Sequence, residues 1–271
     1  MAADRSGDGT VGKALDVLDR VAAFGRPVRF SELLAASPFP KATLFRLLQT
    51  LTSQGLLALD PDSGSYAPGI RLVRLAHAAW RQSSLAPVAR PHLDELSAET
   101  GETVHLAQLD GAHVLYVDKR NARVPVEMFS MAGKVGPAHC TGVGKAMLAF
   151  LPEDQLARLI PQMSFHRHTE NPLTTPAALT AELAAIRRDG LAFDREEHEP
   201  GIICIAAPIL SSQGRVLGGL SLTSTTARSS LAALAAHAGR LAETAARIAA
   251  EAESWRFPDD MGGHRRTGAG T

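Results

Sequence analysis

Apolar residues recur at helical spacing from the start of the chain's patterned part. Val11, Leu15, Leu18 and Ala22 predict a first helix that Gly25, Arg26 and Pro27 stop. Ser31 is placed to cap a short helix running through Leu33, Leu34 and Ala36. Ser37-Pro38-Phe39-Pro40 holds two prolines and cannot be helix interior, although Pro40 suits the first position of a new helix. That new helix sets Leu44, Leu47, Leu48 and Leu51 at i, i+3, i+4 and i+7, an apolar stripe. Its other faces carry Lys41, Thr43, Arg46, Gln49 and Thr50, with no acidic residue between 40 and 59. Leu56–Leu59, a turn through 60–64 and Ser65–Ala67 predict a hairpin ended by Pro68-Gly69. Residues 70–82, with Leu72, Leu75, Ala76 and Ala79, predict a connecting helix, and a second helix is expected from Pro87 to Thr100.

The period changes after Glu102. Thr103–Leu109 alternates, Asp110-Gly111 signals a turn, and Val114–Lys119 follows as its partner strand. Val126–Met131 is a candidate third strand. A Gly-rich turn from Gly133 to Gly144 precedes an apolar helix, Lys145–Phe150. Helices are expected over Glu153–Ile160 and Pro176–Asp189, the latter ended by Gly190. Leu191–Arg195, Ile202–Leu210 and Val216–Thr225 read as strands, and residues 228–253 as one long Ala-rich helix. The first ten residues read as a frayed lead-in, and 253–271 as a disordered tail. The domains are therefore expected at 10–70 (helices plus a hairpin) and 85–252 (α+β), joined by a linker helix over 71–84. No internal repeat is visible.

Composition narrows this picture. In 271 residues, 45% are hydrophobic and 21% charged, enough for a buried core. Lys+Arg and Asp+Glu are both 28, so the chain is no general polycation. A small nucleic-acid-binding module can still hide inside a neutral total. Residues 1–75 carry nine Lys/Arg against seven Asp/Glu, a weak surplus that asks for two copies on one duplex. Two Cys, 140 and 204, cannot form a disulfide framework and suit a reducing compartment. The start, MAADRSGDGT, lacks an apolar h-region, and no apolar run reaches the ~18 residues of a membrane span. The expected setting is the cytoplasm, away from any membrane.

A short helix, a tight turn and an amphipathic helix with basic and polar outer residues match a helix-turn-helix, with the hairpin as a wing. A major groove about 12 Å wide admits one helix. Lys41 and Arg46 can meet phosphate or guanine, and Gln49 can read adenine. The competing reading is a three-helix structural cap.

Several constellations in the second half imitate catalytic sites. Gly142-Val143-Gly144-Lys145-Ala146 fails as a phosphate loop, because His139 stands where the first Gly belongs and Ala146 replaces the magnesium-binding hydroxyl. It remains either an anion-binding turn at a helix start or a turn that needs Gly for packing. Glu196–Glu199 with His166 and His168 suggests a metal, but strand neighbours point to opposite faces and cannot all converge. Cys140 or Cys204 beside His139 or His105 would be a nucleophile without a local signature. Cys204 lies in the apolar run Ile202–Ala207, where a free Cys is ordinarily a small hydrophobe. No metal, cofactor or catalytic residue is therefore expected.

The runs FSELLAASPFPKATLFRLLQTLTSQGLL and SGSYAPG resemble the winged helix-turn-helix of the IclR family of bacterial transcription regulators. ETVHLAQLDGAHVLYVDK, HCTGVGKAMLAFL, IRRDGLAFDREEHEPGIICIAAPI and VLGGLSLT follow in the family's order, so the resemblance covers about residues 11 to 250. Two positions depart from it: Pro38 stands where Gly is usual, and Ala42 where Ser is frequent. The first stiffens the turn and the second removes a phosphate-binding hydroxyl.

The resemblance implies an α+β protein: an N-terminal winged helix-turn-helix and a C-terminal GAF-like antiparallel sheet with helices that binds an effector. It implies a ligand-responsive repressor or activator of a catabolic operon, acting on double-stranded operator DNA as a homodimer or homotetramer. The effector would be a small carboxylate-type metabolite touching Gly142, Val143, Asp194, Ile202, Cys204, Ser221 and Thr223, with Met128 and Gly136 at the mouth. Ser221 and Thr223 are two apart on a strand and share a face, and so do Ile202 and Cys204. Asp194 would repel a carboxylate and suits a ligand hydroxyl or loop support instead. Two other functions stay open: a DNA-binding protein whose second domain only oligomerises, and a small-molecule enzyme using Cys204 or Cys140.

Overall fold

The computed structural model describes residues 9–83, 85–124, 128, 130–170 and 173–253. The chain forms two compact units, Met1–Arg81 and Gln82–Thr271. The expected lead-in lies almost wholly outside the described residues, and so does the tail beyond 253.

The first unit runs α1 (Thr10–Ala23), β1 (Val28–Arg29), α2 (Phe30–Ala35), α3 (Lys41–Ser53), β2 (Leu57–Asp60), β3 (Ser65–Pro68) and α4 (Ile70–Ser83). The α3 stripe is as the spacing predicts: Leu44, Leu47, Leu48 and Leu51 are all buried. They meet Val17, Leu18 and Val21 of α1, Leu33 of α2 and Tyr66 of β3 in one core. The α1 stripe is rotated from the expected one. Only Leu18 of the four expected residues is buried; Val11 and Leu15 are exposed, because α1 meets α3 and β3 through Val17, Leu18 and Val21.

Caps also differ from expectation. Arg29, not Ser31, precedes α2, and the Glu32 carboxylate accepts from the Arg29 backbone N–H at 3.0 Å. Pro40 is the cap of α3 rather than its first residue. Between the two helices the Ser37 hydroxyl accepts from the Phe39 N–H (3.1 Å), which tightens the turn. The hairpin is present, and β1, too short to read from sequence, pairs with β3 to give the order β1-β3-β2.

The second unit contains α5 (Ala86–Thr100), β4 (Thr103–Asp110), β5 (His113–Arg120), β6 (Val135–Pro137), α6 (Gly142–Leu148), α7 (Glu153–Leu159), α8 (Pro176–Asp189), β7 (Ala192–Arg195), β8 (Ile202–Leu210), β9 (Val216–Thr225), α9 (Leu231–Ala235) and α10 (Ala238–Glu253). Six antiparallel strands lie in the order β6-β5-β4-β9-β8-β7. Adjacent glycines of β9 show that both faces are covered. A Cβ on Gly218 would strike Leu85, just before α5, while one on Gly219 would press on Val143 and Met147 of α6. Ser221 and Thr223 share the parity of Gly219, so they face the α6 side.

Three expectations need correction here. The candidate strand over 126–131 lies partly outside the described residues, and its described members Met128, Ser130 and Met131 are in no strand. The third hairpin strand is β6 instead, held to β5 through Gly136–Val114. The apolar helix begins at Gly142, three residues earlier than expected, because both glycines let its first turn lie against neighbouring backbone: a Cβ on Gly144 would collide with Ala138. The Ala-rich run is two helices rather than one. Ser230 caps α9 by accepting from the Ala233 N–H, and the chain bends at 236–237 before α10 settles on α5 and β8. Small alanines do not hold a helix straight, so tertiary packing decides its direction.

Candidate functional site

A small cavity opens on the α6 side of the sheet. Its wall is a row across four strands: His105 on β4, Ser221 and Thr223 on β9, Ile202 and Cys204 on β8, and Asp194 on β7. The register makes the row, since His105 pairs with Ser221, Thr223 with Cys204, and Cys204 with Asp194. Gly142 and Val143 of α6 close it, with Thr141 before them. Tyr116, Ser130, His198 and Glu199 complete the lining. The free volume is about 30 Å³.

The family resemblance therefore named seven residues that the fold brings together: Gly142, Val143, Asp194, Ile202, Cys204, Ser221 and Thr223. Met128 and Gly136 are not among the lining residues. Met128 is buried, and Gly136 sits behind, near Tyr116 and Thr141. His105 and Tyr116 were missed as lining. A polar residue between Val104 and Leu106 in a buried strand was the available signal for His105. Ser130, His198 and Glu199 come from irregular segments, where no period announces a direction.

Hydrogen bonds fix the polar wall. Ser130 Oγ lies 2.8 Å from His105 Nε2, and His105 Nδ1 lies 3.2 Å from Thr223 Oγ1 and 3.4 Å from Ser221 Oγ. The Tyr116 ring stands edge-on to His105, with centroids 5.4 Å apart. Burial, helped by the Lys119 charge, pushes the His105 imidazole down to about 3, so it is neutral at physiological pH. His198 is likewise pushed down to about 4, first by burial and then by His168. Burial lifts the Asp194 carboxyl to about 7, although the Glu197 N–H donates to its Oδ1 at 2.9 Å. Among the described residues no Lys or Arg lines the cavity.

The cysteines are unsuited to attack. Burial pushes both thiols far up, and Asp194 adds to it, so neither is a thiolate near neutrality. Among the described residues no group of three His, Cys, Asp or Glu could hold a metal ion. Lys145, in the segment that imitates a phosphate loop, is fully buried and bonds Glu197 (2.5 Å) and Glu182 (3.3 Å). Glu182 also accepts from Arg195 at 2.9 Å. That lysine is consumed in holding α6 to α8 and to the β7–β8 turn.

On the first unit, α3 turns Lys41, Arg46, Gln49 and Thr50 to solvent, with Thr43 partly buried. The Thr50 hydroxyl donates back to the Arg46 carbonyl at 3.0 Å. The outer face is thus basic and amide-bearing and carries no carboxylate. Inward packing of Lys41, Arg46 and Gln49 would have excluded contact with a duplex, and all three are exposed.

Comparison with known proteins agrees in both halves. Residues 10–61 match the model of the IclR helix-turn-helix domain, and residues 77–250 match that of the C-terminal domain of bacterial IclR transcriptional regulators. The HTH-type transcriptional regulator BhcR of Paracoccus denitrificans is 34% identical over 90% of this chain and 87% of its own. The HTH-type transcriptional regulator KdgR of Escherichia coli is 31% identical over 92% of this chain and 95% of its own. The crystal structure of the Thermotoga maritima IclR has a TM-score of 0.71 and 29% identity, covering 89% of this chain and 98% of that one.

Proposed function

The chain belongs to the IclR family of bacterial transcriptional regulators, and from that premise we propose that α3 reads operator DNA while the β4-β9-β8-β7 cavity senses a small metabolite. The chain is a DNA-binding regulator with an effector-binding domain, not an enzyme. The finer reading assigns Lys41, Thr43, Arg46, Gln49 and Thr50 to the duplex. The cationic ends of Lys41 and Arg46 suit phosphate or guanine, and Gln49 suits adenine.

The cavity supports a compact effector bearing a carboxylate and a hydroxyl or carbonyl. Ser221 and Thr223 supply hydroxyls, and the first turn of α6, where Thr141 makes no side-chain cap, supplies backbone N–H groups at Val143 and at Gly142, the latter also directed at the Cys204 sulfur. With no cation in the wall, Asp194 receives a carboxylate only in its protonated form, as a hydrogen-bond donor, and its lifted pKa makes that form accessible. The observation that carries this reading is the convergence of seven residues from four separate segments on one buried cavity.

The regulated genes would be those of a catabolic operon, in the cytoplasm of the cell. The protein would act as a homodimer or homotetramer, a reading that the exposed apolar residues Ile70, Val73 and Leu75 of α4 support. Ligand binding moves the DNA equilibrium only if the effector prefers one arrangement of the protein.

Two variants test the assignment. Arg46→Ala is expected to weaken operator binding and reduce its salt dependence by about one counterion, with effector binding unchanged. Ser221→Ala is expected to abolish the thermal shift given by small hydroxy- and keto-acids while unliganded DNA binding persists. Unchanged DNA affinity across salt in the first, or an unchanged thermal shift in the second, removes that residue from its site. A panel of such acids that shifts neither melting temperature nor DNA affinity would favour a second domain that only oligomerises.

A further inference from the structure

The exposed face of α3 carries one residue that the charged and amide contacts do not use. Phe45 is 48% exposed, in the middle of an otherwise polar outer surface. Its neighbours on the helix are Lys41 and Ala42 before it and Gln49 after it, at the three- and four-residue spacings that share a surface. It is not loose. Its ring stands edge-on to Phe30, with centroids 6.1 Å apart and planes at 77°. Phe30, Lys41, Ala42, Phe45, Leu59 and Tyr66 line a shallow apolar groove between α3 and the hairpin. Leu59, on the hairpin side, is itself 44% exposed.

The surroundings restrict what can lie there. Lys41 is on the groove's edge, Arg46 follows Phe45, and α3 has no acidic residue. The nearest carboxylate of the hairpin, Asp60, is turned onto its own loop, where it accepts from the Asp62 N–H (3.0 Å) and the Ser63 hydroxyl (2.6 Å). An apolar strip edged by the Lys41 cation and continuous with a groove-reading face suits a polyanion that presents an apolar group. In the major groove of a duplex the base edges offer one such group, the C5-methyl of thymine. Held upright by Phe30, the Phe45 ring would receive that methyl with little further loss of side-chain freedom.

We propose that Phe45, with Ala42 beside it, reads a thymine methyl in the operator. The proposal rests on α3 entering the major groove. It adds a specificity-determining residue to that reading, and it gives the absent hydroxyl at position 42 a use: a methyl side chain leaves an apolar floor where a hydroxyl would be hydrated.

The test uses the full-length protein and duplexes it selects from a randomised library, resynthesised with deoxyuridine at each thymidine in turn. Wild type is expected to lose about fourfold in affinity at one or two positions, the worth of one buried methyl. Phe45→Ala is expected to bind the thymine and uracil forms equally at those positions, and Phe45→Leu to retain part of the preference. Should Phe45→Ala fail to fold, photocrosslinking of wild type to 5-iododeoxyuridine at the same positions is expected to mark Phe45. Wild type indifferent to every methyl, a preference that survives in Phe45→Ala, or crosslinks confined to other residues overturns the proposal alone. If no duplex is selected over random sequence, the DNA-reading role of α3 falls with it.

Discussion

Gly142 lies on the sulfur of Cys204, and a Cβ built there would enter that sulfur's van der Waals envelope while also pressing on Ala206. The glycine is therefore required by the close approach of α6 to the sheet. Gly142→Ala is expected to cost about 1–3 kcal/mol in urea unfolding and to remove the effector-induced thermal shift. Adding Cys204→Ala, which shortens the obstructing side chain, is expected to recover part of the stability. This residue was legible as a Gly-rich turn, but its reason was not: the contact joins segments about sixty residues apart, and no local pattern encodes that. His105 was hidden for the same cause. Its partners Thr223 and Ser130 come from a strand far along the chain and from an irregular segment.

At the scale of elements, what could be read depended on periodicity. The α3 stripe, β8, β9 and α8 were read from spacing with little error, since a strong period and good stop signals coincide there. The two-residue β1 was beyond reach, and the break between α9 and α10 had only Gly239, inside the first turn of α10, to announce it. The element with the most at stake is α6, fastened by Lys145. Burial lifts the Glu197 carboxyl while Lys145 pulls it back, and burial of Glu182 is outweighed by Arg195 and Lys145. Lys145→Met leaves buried Glu197 with only the more distant Arg195, 3.9 Å away, and is expected to cost about 3–5 kcal/mol. Pairing it with Glu197→Leu should return much of that loss, because buried ion pairs are often replaceable by apolar residues of similar volume. Urea titration of the single and double variants gives the answer. A single variant as stable as wild type would mean the pair has no structural weight.

Across the whole molecule, among the described residues, burial pushes four histidines down: His105 to about 3, His139 and His198 to about 4, and His168 in the same direction. Their folded values lie below the ordinary 6.5, so their stabilising effect is complete above that pH and is lost as pH falls towards 4 and 3. Asp194 works the other way, gaining stability between pH 7 and about 4, and Glu197 follows it. Four depressed imidazoles outweigh two lifted carboxyls, so the urea midpoint should drop on acidification from pH 7 to pH 4.5. His198→Gln should drop less than wild type over that interval, and a flat profile in both would contradict the burial of these rings. The cavity carries a further consequence. A free volume of about 30 Å³ is room for about two waters, so a metabolite bound there would have to displace part of the lining. Admission and rearrangement are then one event, and a guest that slipped in without disturbing its host would deliver no message to the genome.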